Sequence, residues 1–510
     1  MTVFTSSLPD VAPSDLSITQ RVFAGLASRP DETVLTDGMT GNSLTAAAFM
    51  DQVRRLAGGL SEAGFGAGHT VAIMAPNMPE YCVVFHAVAW GGGTITTLNP
   101  TYTAQEVAHQ LSDSGAELLI TVPDFVDTAK EGAGDLPVIA IGSPAYTALF
   151  GPLLSDQHPV DLDDFTVVLP YSSGTTGLPK GVMLSHRNLV VNVDQILASG
   201  SFEPGEVTAG FLPFFHIYGM TSLMNLHLAG GGALVTMPRF NLPQFLQICQ
   251  DYRALRMWIV PPVALALAKH PLIDDYDLSS VRQVISGAAP LGAELSEAVA
   301  RRLNSLATQG YGMTELAPVS HLTPENAPRA GAAGLAVPNT LCRIVDIDSG
   351  TDLDAGEEGE LWVKGPQVMQ GYLNNPKATQ ETITTDGWLR TGDIGKIDAD
   401  GYLFITDRLK ELIKYKAFQV APAEVEASLV AMDGVTDAAV IGKPDEEAGE
   451  LPIAFVVIAD KGPDAAAIKV HLDGNLAHYK QVHEVHFVNE IPKSASGKIL
   501  RRFLRDGLIA

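Results

Sequence analysis

The sequence predicts an α/β protein of two domains. A large N-terminal domain of α/β subdomains with parallel sheets plus a β-rich subdomain is followed by a small mobile α+β C-terminal domain. Three observations carry this. The chain has 510 residues, more than one hydrophobic core organises. Apolar runs of strand length alternate with helical patterns through most of the chain, as crossover-connected parallel strands do. Near Val345 the pattern changes to paired strands around turns, and after Asp407-Arg408 a compact last unit of domain size follows. The expected domains are 1–408 and 409–510.

From Thr45 to Gly64, Met50, Val53, Leu56 and Leu60 recur at helical spacing, and Gly64 and Gly66 stop the helix. Thr70 to Ala75 reads as a buried strand. Glu117 to Val122, Val138 to Ile141, Ala233 to Met237, Met257 to Val260 and Val281 to Ile285 read likewise, and Ala293 to Leu306 reads as helix. Ile344 to Val363 and Gly401 to Thr406 read as hairpin-like strands around turns such as Asp354-Ala355-Gly356. The last unit reads helix (Ala423 to Leu429), strand (Val435 to Ile441), strand (Ile453 to Val457), helix, strand (Val485 to Phe487).

A formal net charge of −25 repels polyanions, so no nucleic-acid partner and no anionic membrane is expected. Cys82, Cys249 and Cys342 are far apart and odd in number, without metal spacing; they read as reduced thiols of a cytoplasmic protein. The N-terminal segment lacks the basic start and apolar core of a signal peptide, and Leu508-Ile509-Ala510 is not a peroxisomal tripeptide. The most apolar stretch, Gly210 to Pro238, is interrupted by Pro213, His216, Asn225 and His227. Buried strand and loop are expected there, with no stable membrane insertion.

The strongest local signal is Tyr171-Ser-Ser-Gly-Thr-Thr-Gly-Leu-Pro-Lys-Gly181. A buried strand, Phe165 to Pro170, feeds a loop of hydroxyls and glycines ending in Lys180, and a strand-like segment, Val182 to Ser185, follows. Glycines let backbone wrap a phosphate chain, while N–H and hydroxyl groups donate to its oxygens. The loop is not the P-loop of nucleotide-hydrolysing proteins, because Pro179 precedes Lys180 and Gly181 follows it. Gly64, Gly66 and Gly68 follow a helix and precede a strand, the wrong order for a dinucleotide fingerprint.

Further motifs follow in order: Pro213-Phe-Phe-His-Ile-Tyr-Gly219, Ser286-Gly-Ala-Ala-Pro-Leu-Gly292, Gly310-Tyr-Gly-Met-Thr-Glu315, Gly387-Trp-Leu-Arg-Thr-Gly-Asp393, Asp407-Arg-Leu-Lys-Glu-Leu-Ile-Lys414, Gln419-Val-Ala-Pro-Ala-Glu424 and Ile491-Pro-Lys-Ser-Ala-Ser-Gly-Lys498. With the hydroxyl-rich loop they resemble the adenylate-forming superfamily of acyl-CoA synthetases, luciferases and peptide-synthetase adenylation domains. The resemblance spans nearly the whole chain and is nearest to 4-coumarate–CoA ligases and their bacterial relatives.

The resemblance implies an AMP-forming acid–thiol ligase. A carboxylic acid and ATP give acyl-AMP and pyrophosphate; CoA then takes the acyl group and AMP leaves. It implies ATP contacts at Ser172, Ser173, Gly174, Thr175, Thr176, Lys180, Gly310, Tyr311, Gly312, Thr314, Asp393 and Arg408. Glu315 would hold Mg²⁺, a cation that prefers oxygen. Tyr311, between glycines, can stack on a purine, and Asp393 can accept from ribose hydroxyls. His216 and Lys498 would serve adenylation, and Lys414 and Gln419 the thiol step. Lys416 and Ala417 would face CoA, with Lys410 as hinge and the small domain rotating between steps.

Tyr218, Ser222, Gly287 and Gly310 match acyl-pocket positions of the coumarate ligases, and Ile285 stands where some plant relatives carry a polar residue. These positions imply 4-coumarate or a related aryl-propenoic acid. A medium-chain fatty acid is the alternative, and loading of a carrier protein is another, because Ala417 replaces the family's glycine beside the thiol cofactor. A luciferase and a nucleotide-binding regulator without catalysis are the remaining readings. The regulator predicts erosion at Lys180, Glu315, Asp393, Arg408 or Lys498, and all are present.

Overall fold

The computed structural model describes residues 2–172, 179–200, 202–416, 418–445, 448–494 and 497–509. Among them the strands assemble into five sheets. The widest runs Gly371–Tyr372, Lys180–Ser185, Thr166–Ser172, Thr94–Thr97, Thr70–Met74, Ala116–Thr121, Val138–Ala140. From Thr166–Ser172 to Val138–Ala140 the strands are parallel. The two at the other edge are antiparallel. The link between Ser172 and Lys180 is too short for a crossover helix, so the chain must double back there.

Helix Ala46–Glu62 packs on helix Pro79–Trp90, which lies against strands Thr70–Met74 and Thr94–Thr97 of this sheet. Thr45 accepts from the Ala48 amide at its start, and Gly64 (φ +86°) follows its end. Its buried stripe is Phe49, Val53, Leu56 and Leu60; Met50, expected in that stripe, packs at its margin while Phe49 takes the central place.

A second sheet runs Arg256–Ile259, Gln283–Ser286, Leu306–Gly312, Val319–Leu322, Leu335–Ala336, parallel at first and antiparallel at the end. A third, Val207–Gly210, Ala233–Thr236, Thr33–Asp37, Ser43–Thr45, packs beside them. The β-rich part is an antiparallel sheet of Phe4–Thr5, Leu341–Val345, Gly359–Lys364, Leu389–Ile397 and Leu403–Arg408. The small domain has its own sheet, Phe418–Val420, Ile413–Tyr415, Gly449–Ile458, Val435–Asp445, with Glu484–Phe487 beside Gly449–Ile458. Helices Pro422–Ala431 and Ala465–Asn475 close a separate core around Val425, Leu429, Ile468 and Leu472.

Three expectations change. The helix from Ala293 ends at Leu303, because Asn304 adopts the left-handed conformation (φ 49°) and the next strand starts at Leu306. The strand expected from Val281 starts at Gln283, since the Val281 amide closes a turn on Leu278. The stretch expected as strand and loop contains a π-helix, Tyr218–Asn225, continued by α-helix Leu226–Ala229. The Asn225 side chain donates to the Met220 carbonyl at 2.9 Å within this wide turn. Gly219 packs so tightly that a Cβ would lie 2.2 Å from the Pro213 oxygen. Pro213 therefore ends the preceding segment instead of breaking the helix. Among the described residues no helix is long and apolar enough to cross a membrane.

Candidate active site

Strand Leu306–Gly312 delivers Gly310, Tyr311 and Gly312 to the edge of a cleft. Gly312 must be glycine, because a Cβ there would meet the Pro318 carbonyl oxygen at 2.2 Å. Asp393 and Arg408 face each other as register partners in adjacent strands. The Tyr311 hydroxyl donates to Asp393 Oδ2 at 2.6 Å, and Arg408 Nε meets Oδ1 at 3.1 Å. The two strands and the tyrosine thus hold one buried carboxylate. Asp393 keeps the Arg408 guanidinium firmly protonated, while burial and then Asp393 push the Tyr311 phenol up. Each Asp393 oxygen retains a lone pair for a further donor.

Thr314 opens a single helical turn, Thr314–Leu316, that turns Glu315 inward. Glu315 is buried and its Oε1 accepts from the Tyr372 hydroxyl at 2.7 Å. Lys180 Nζ stands over the Tyr372 ring at 4.7 Å from its centroid. Tyr372 thus joins the end of the hydroxyl-rich loop to the Glu315 carboxylate. Ser172 pairs with Lys180 across the strands. Ser173, Gly174, Thr175 and Thr176 lie outside the described residues.

Lys498 reaches this cleft from the small domain. Its loop is tightened by Gly497 N–H donating to the Ser494 carbonyl at 2.8 Å and the Lys498 amide to Ser494 Oγ at 3.2 Å. Gly497 (φ +81°) passes the large domain closely; a Cβ there would lie 3.3 Å from Val260. Burial, and next the nearby Arg408, lower the Lys498 ammonium to about 8, opposed by Asp393 and Glu315. His216 is kept neutral: burial and then Lys498 press it down to about 3. Its Nδ1 accepts from the Tyr218 amide at 3.2 Å.

The acyl-pocket candidates gather at the π-helix. The Tyr218 hydroxyl donates to the Ile259 carbonyl at 3.1 Å, and a Cβ on Gly287 would lie 2.9 Å from the Tyr218 ring. Ser222 is buried, and among the described residues its Oγ has no hydrogen-bond partner. Ile285 is buried in the neighbouring strand.

The remaining candidates are elsewhere. Lys414 and Gln419 are register partners in the hairpin Ile413–Tyr415 and Phe418–Val420, and both are exposed. Lys416 has φ 54°, its amide donating to the Ala448 carbonyl at 2.6 Å. Ala417 lies outside the described residues. Lys410 is exposed in the turn after strand Leu403–Arg408.

Tyr372 is the residue that sequence reasoning missed. Its motif, Gly371-Tyr372, looks like any strand end, and its partner lies fifty-seven positions upstream. A divalent cation fits the donor set: one carboxylate at Glu315 with Oε2 remaining, beside Thr314 and linked through Tyr372 to Lys180. Mg²⁺ is commonly held by one or two carboxylates plus substrate phosphates.

Comparison with known proteins agrees with this geometry. The family model described as AMP-binding enzyme matches residues 22–373, and that described as AMP-binding enzyme C-terminal domain matches 424–498. The chain is 44% identical to 4-coumarate–CoA ligase 5 of Oryza sativa subsp. japonica, over 100% of the chain and 98% of the relative. It is 42% identical to 4-coumarate–CoA ligase 1 of Solanum tuberosum, over 100% and 97%. ATP-bound MatB from Rhodopseudomonas palustris superposes with a TM-score of 0.87 at 30% identity, over 96% of this chain and 99% of that one.

Proposed function

We infer, because the chain belongs to the family of AMP-binding enzymes, that it is an ATP-dependent acid–CoA ligase acting on 4-coumarate or a related aryl-propenoic acid. The observation that carries this reading is the meeting of Lys498 with Asp393, Arg408 and Glu315 in one cleft. We place the domain boundary between residues 408 and 409, where the chain leaves one antiparallel sheet for the next. A cytoplasmic location is supported by three buried free cysteines.

In this reading Asp393 holds the ribose hydroxyls and Tyr311 faces the adenine. Lys180, the hydroxyls from Ser172 to Thr176, and Thr314 hold the phosphates. Glu315 holds Mg²⁺, which when bound neutralises phosphate charge. The substrate carboxylate oxygen attacks the α-phosphorus and pyrophosphate leaves, so no protein nucleophile is needed. Lys498 stabilises the charge that grows on the α-phosphate, and neutral His216 orients the carboxylate without repelling the ammonium. The acyl group lies along Tyr218, Ser222, Gly287 and Gly310. CoA then attacks the anhydride carbonyl and AMP leaves. For that step the small domain turns about Lys410 and brings Lys414, Lys416, Ala417 and Gln419 to the cleft.

The lowered Lys498 pKa has a kinetic consequence. The ammonium form is required, and the free enzyme loses it as pH rises through about 8. Adenylation kcat/KM, which reports the free enzyme, is therefore expected to fall above about pH 8, and Lys498→Arg to move that limb upward. His216, already neutral, adds no limb near neutrality. A rate profile flat to pH 10 would remove the assignment.

The acid is tested with a panel assayed for ATP- and CoA-dependent AMP release. In this reading the Tyr218 ring, packed on Gly287, gives the acyl site one flat apolar wall, so cinnamate-like acids are expected to outperform saturated chains of about six to ten carbons. A fatty-acid enzyme would instead gain steadily with length, by roughly 0.8 kcal/mol per methylene. That gain, with aryl acids inactive, would overturn the choice of acid.

A further inference from the structure

Helix Pro422–Ala431 of the small domain has no side-chain cap at Ala421 and no basic residue in its last turn. Both ends are nevertheless occupied, in each case by a residue that precedes the Lys410 turn. At the start, Asp407 Oδ2 accepts from the Ala423 amide at 2.8 Å. Asp407 belongs to strand Leu403–Arg408. At the end, Lys269 Nζ donates to the Val430 carbonyl at 3.0 Å and to the Val435 carbonyl at 3.4 Å. Lys269 is the last residue of helix Pro261–Lys269 in the large domain. Between the two ends a Cβ on Gly292 would touch Ala427 at 3.4 Å. An anion at the start of a helix and a cation at its end both complement the helix dipole.

We propose that Lys269 and Asp407 are positioning residues that clasp helix Pro422–Ala431 end to end and hold the small domain where Lys498 enters the cleft. This rests on the two-step reading of the site. Rotation about Lys410 carries the helix away from Lys269 and strains the Asp407 contact, which spans that turn. The ion cluster of Arg501 with Glu411 and Glu426 lies wholly after Lys410 and travels with the small domain. The clasp must open and close in every turnover, so it has to bias the orientation without locking it. Two contacts, one from an exposed lysine, fit that requirement.

The test uses Lys269→Met, Asp407→Ala and Lys269→Arg in the full chain. Spin labels go on cysteines introduced by Lys377→Cys and Val470→Cys, at positions 88% and 72% exposed in the large and small domains. The native thiols are buried. Lys269→Met and Asp407→Ala should each reduce the population at the interlabel distance seen here. Each should also slow acid-dependent pyrophosphate exchange about 2- to 5-fold, the range of a charge placed against a helix end. Transfer from supplied acyl-adenylate to CoA should stay unchanged or rise, and Lys269→Arg should restore the parent distribution. A structural defect would slow both half-reactions together. An unchanged distance distribution in Lys269→Met would overturn the clasp, whatever the rates. If the parent makes no acyl-CoA from any acid while the distribution still shifts, the ligase reading fails and the clasp stands.

Discussion

Lys498→Ala is expected to lower acid-dependent pyrophosphate exchange about 10²-fold or more, the usual loss when a transition-state donor is removed. No neighbour can replace it. Arg408 is committed to Asp393 at 3.1 Å, and His216 is neutral. Lys180 Nζ lies over the Tyr372 ring. The Lys498→Ala protein should still transfer acyl groups from supplied acyl-adenylate to CoA at nearly the parent rate. Gln419→Ala should do the reverse, because in the proposed reading Gln419, paired with Lys414 in an exposed hairpin, serves the thiol step. Equal impairment of both half-reactions in both variants would end the domain-rotation reading. Exchange assays and single-turnover transfer separate the cases.

Asp393→Ala is expected to weaken ATP binding about thirtyfold or more. The carboxylate is buried and organises two partners, the Tyr311 hydroxyl and the Arg408 guanidinium. Removing it takes from both the partner that fixes their position. A hydrogen bond to a charged group contributes about 1.5–3 kcal/mol, so losing the carboxylate as acceptor for the ribose hydroxyls is expected to cost about 2 kcal/mol or more of ATP affinity. Tyr311 would also lose the bond that fixes its ring. Asp393→Asn keeps an acceptor for Tyr311 and should fall between the variant and the parent. Calorimetric titration with ATP gives the answer, and an unchanged affinity for Asp393→Ala would show that the carboxylate does not organise the nucleotide site.

Parallel strands such as Thr70–Met74 were legible as short apolar runs with turn residues on both sides, whereas Thr94–Thr97, threonine at three of its four positions, was not. The segment around Tyr218 was not. Its apolar residues fit helix and buried strand equally, and the π-helix depends on Gly219 lying against Pro213. In the site, Asp393 and Arg408 could be read from their motifs, but their direct pairing is a matter of register between two strands. Tyr372 and Lys269 act through partners tens to hundreds of positions away, and neither carries a local pattern. Periodicity reports which face of an element is buried, and says nothing of which distant carbonyl a lysine meets.

The contact of Gly287 with Tyr218 bears on how selectivity can evolve. In the proposed acyl pocket, a wall formed by a missing side chain can change in one direction only: every substitution at Gly287 adds atoms, and a Cβ there would stand 2.9 Å from the Tyr218 ring. Breadth of substrate choice is then the starting condition. A descendant can become choosier by a single codon change, whereas regaining breadth needs reversion at the same position. Lineages of such an enzyme should diverge more readily toward specialists than back toward generalists.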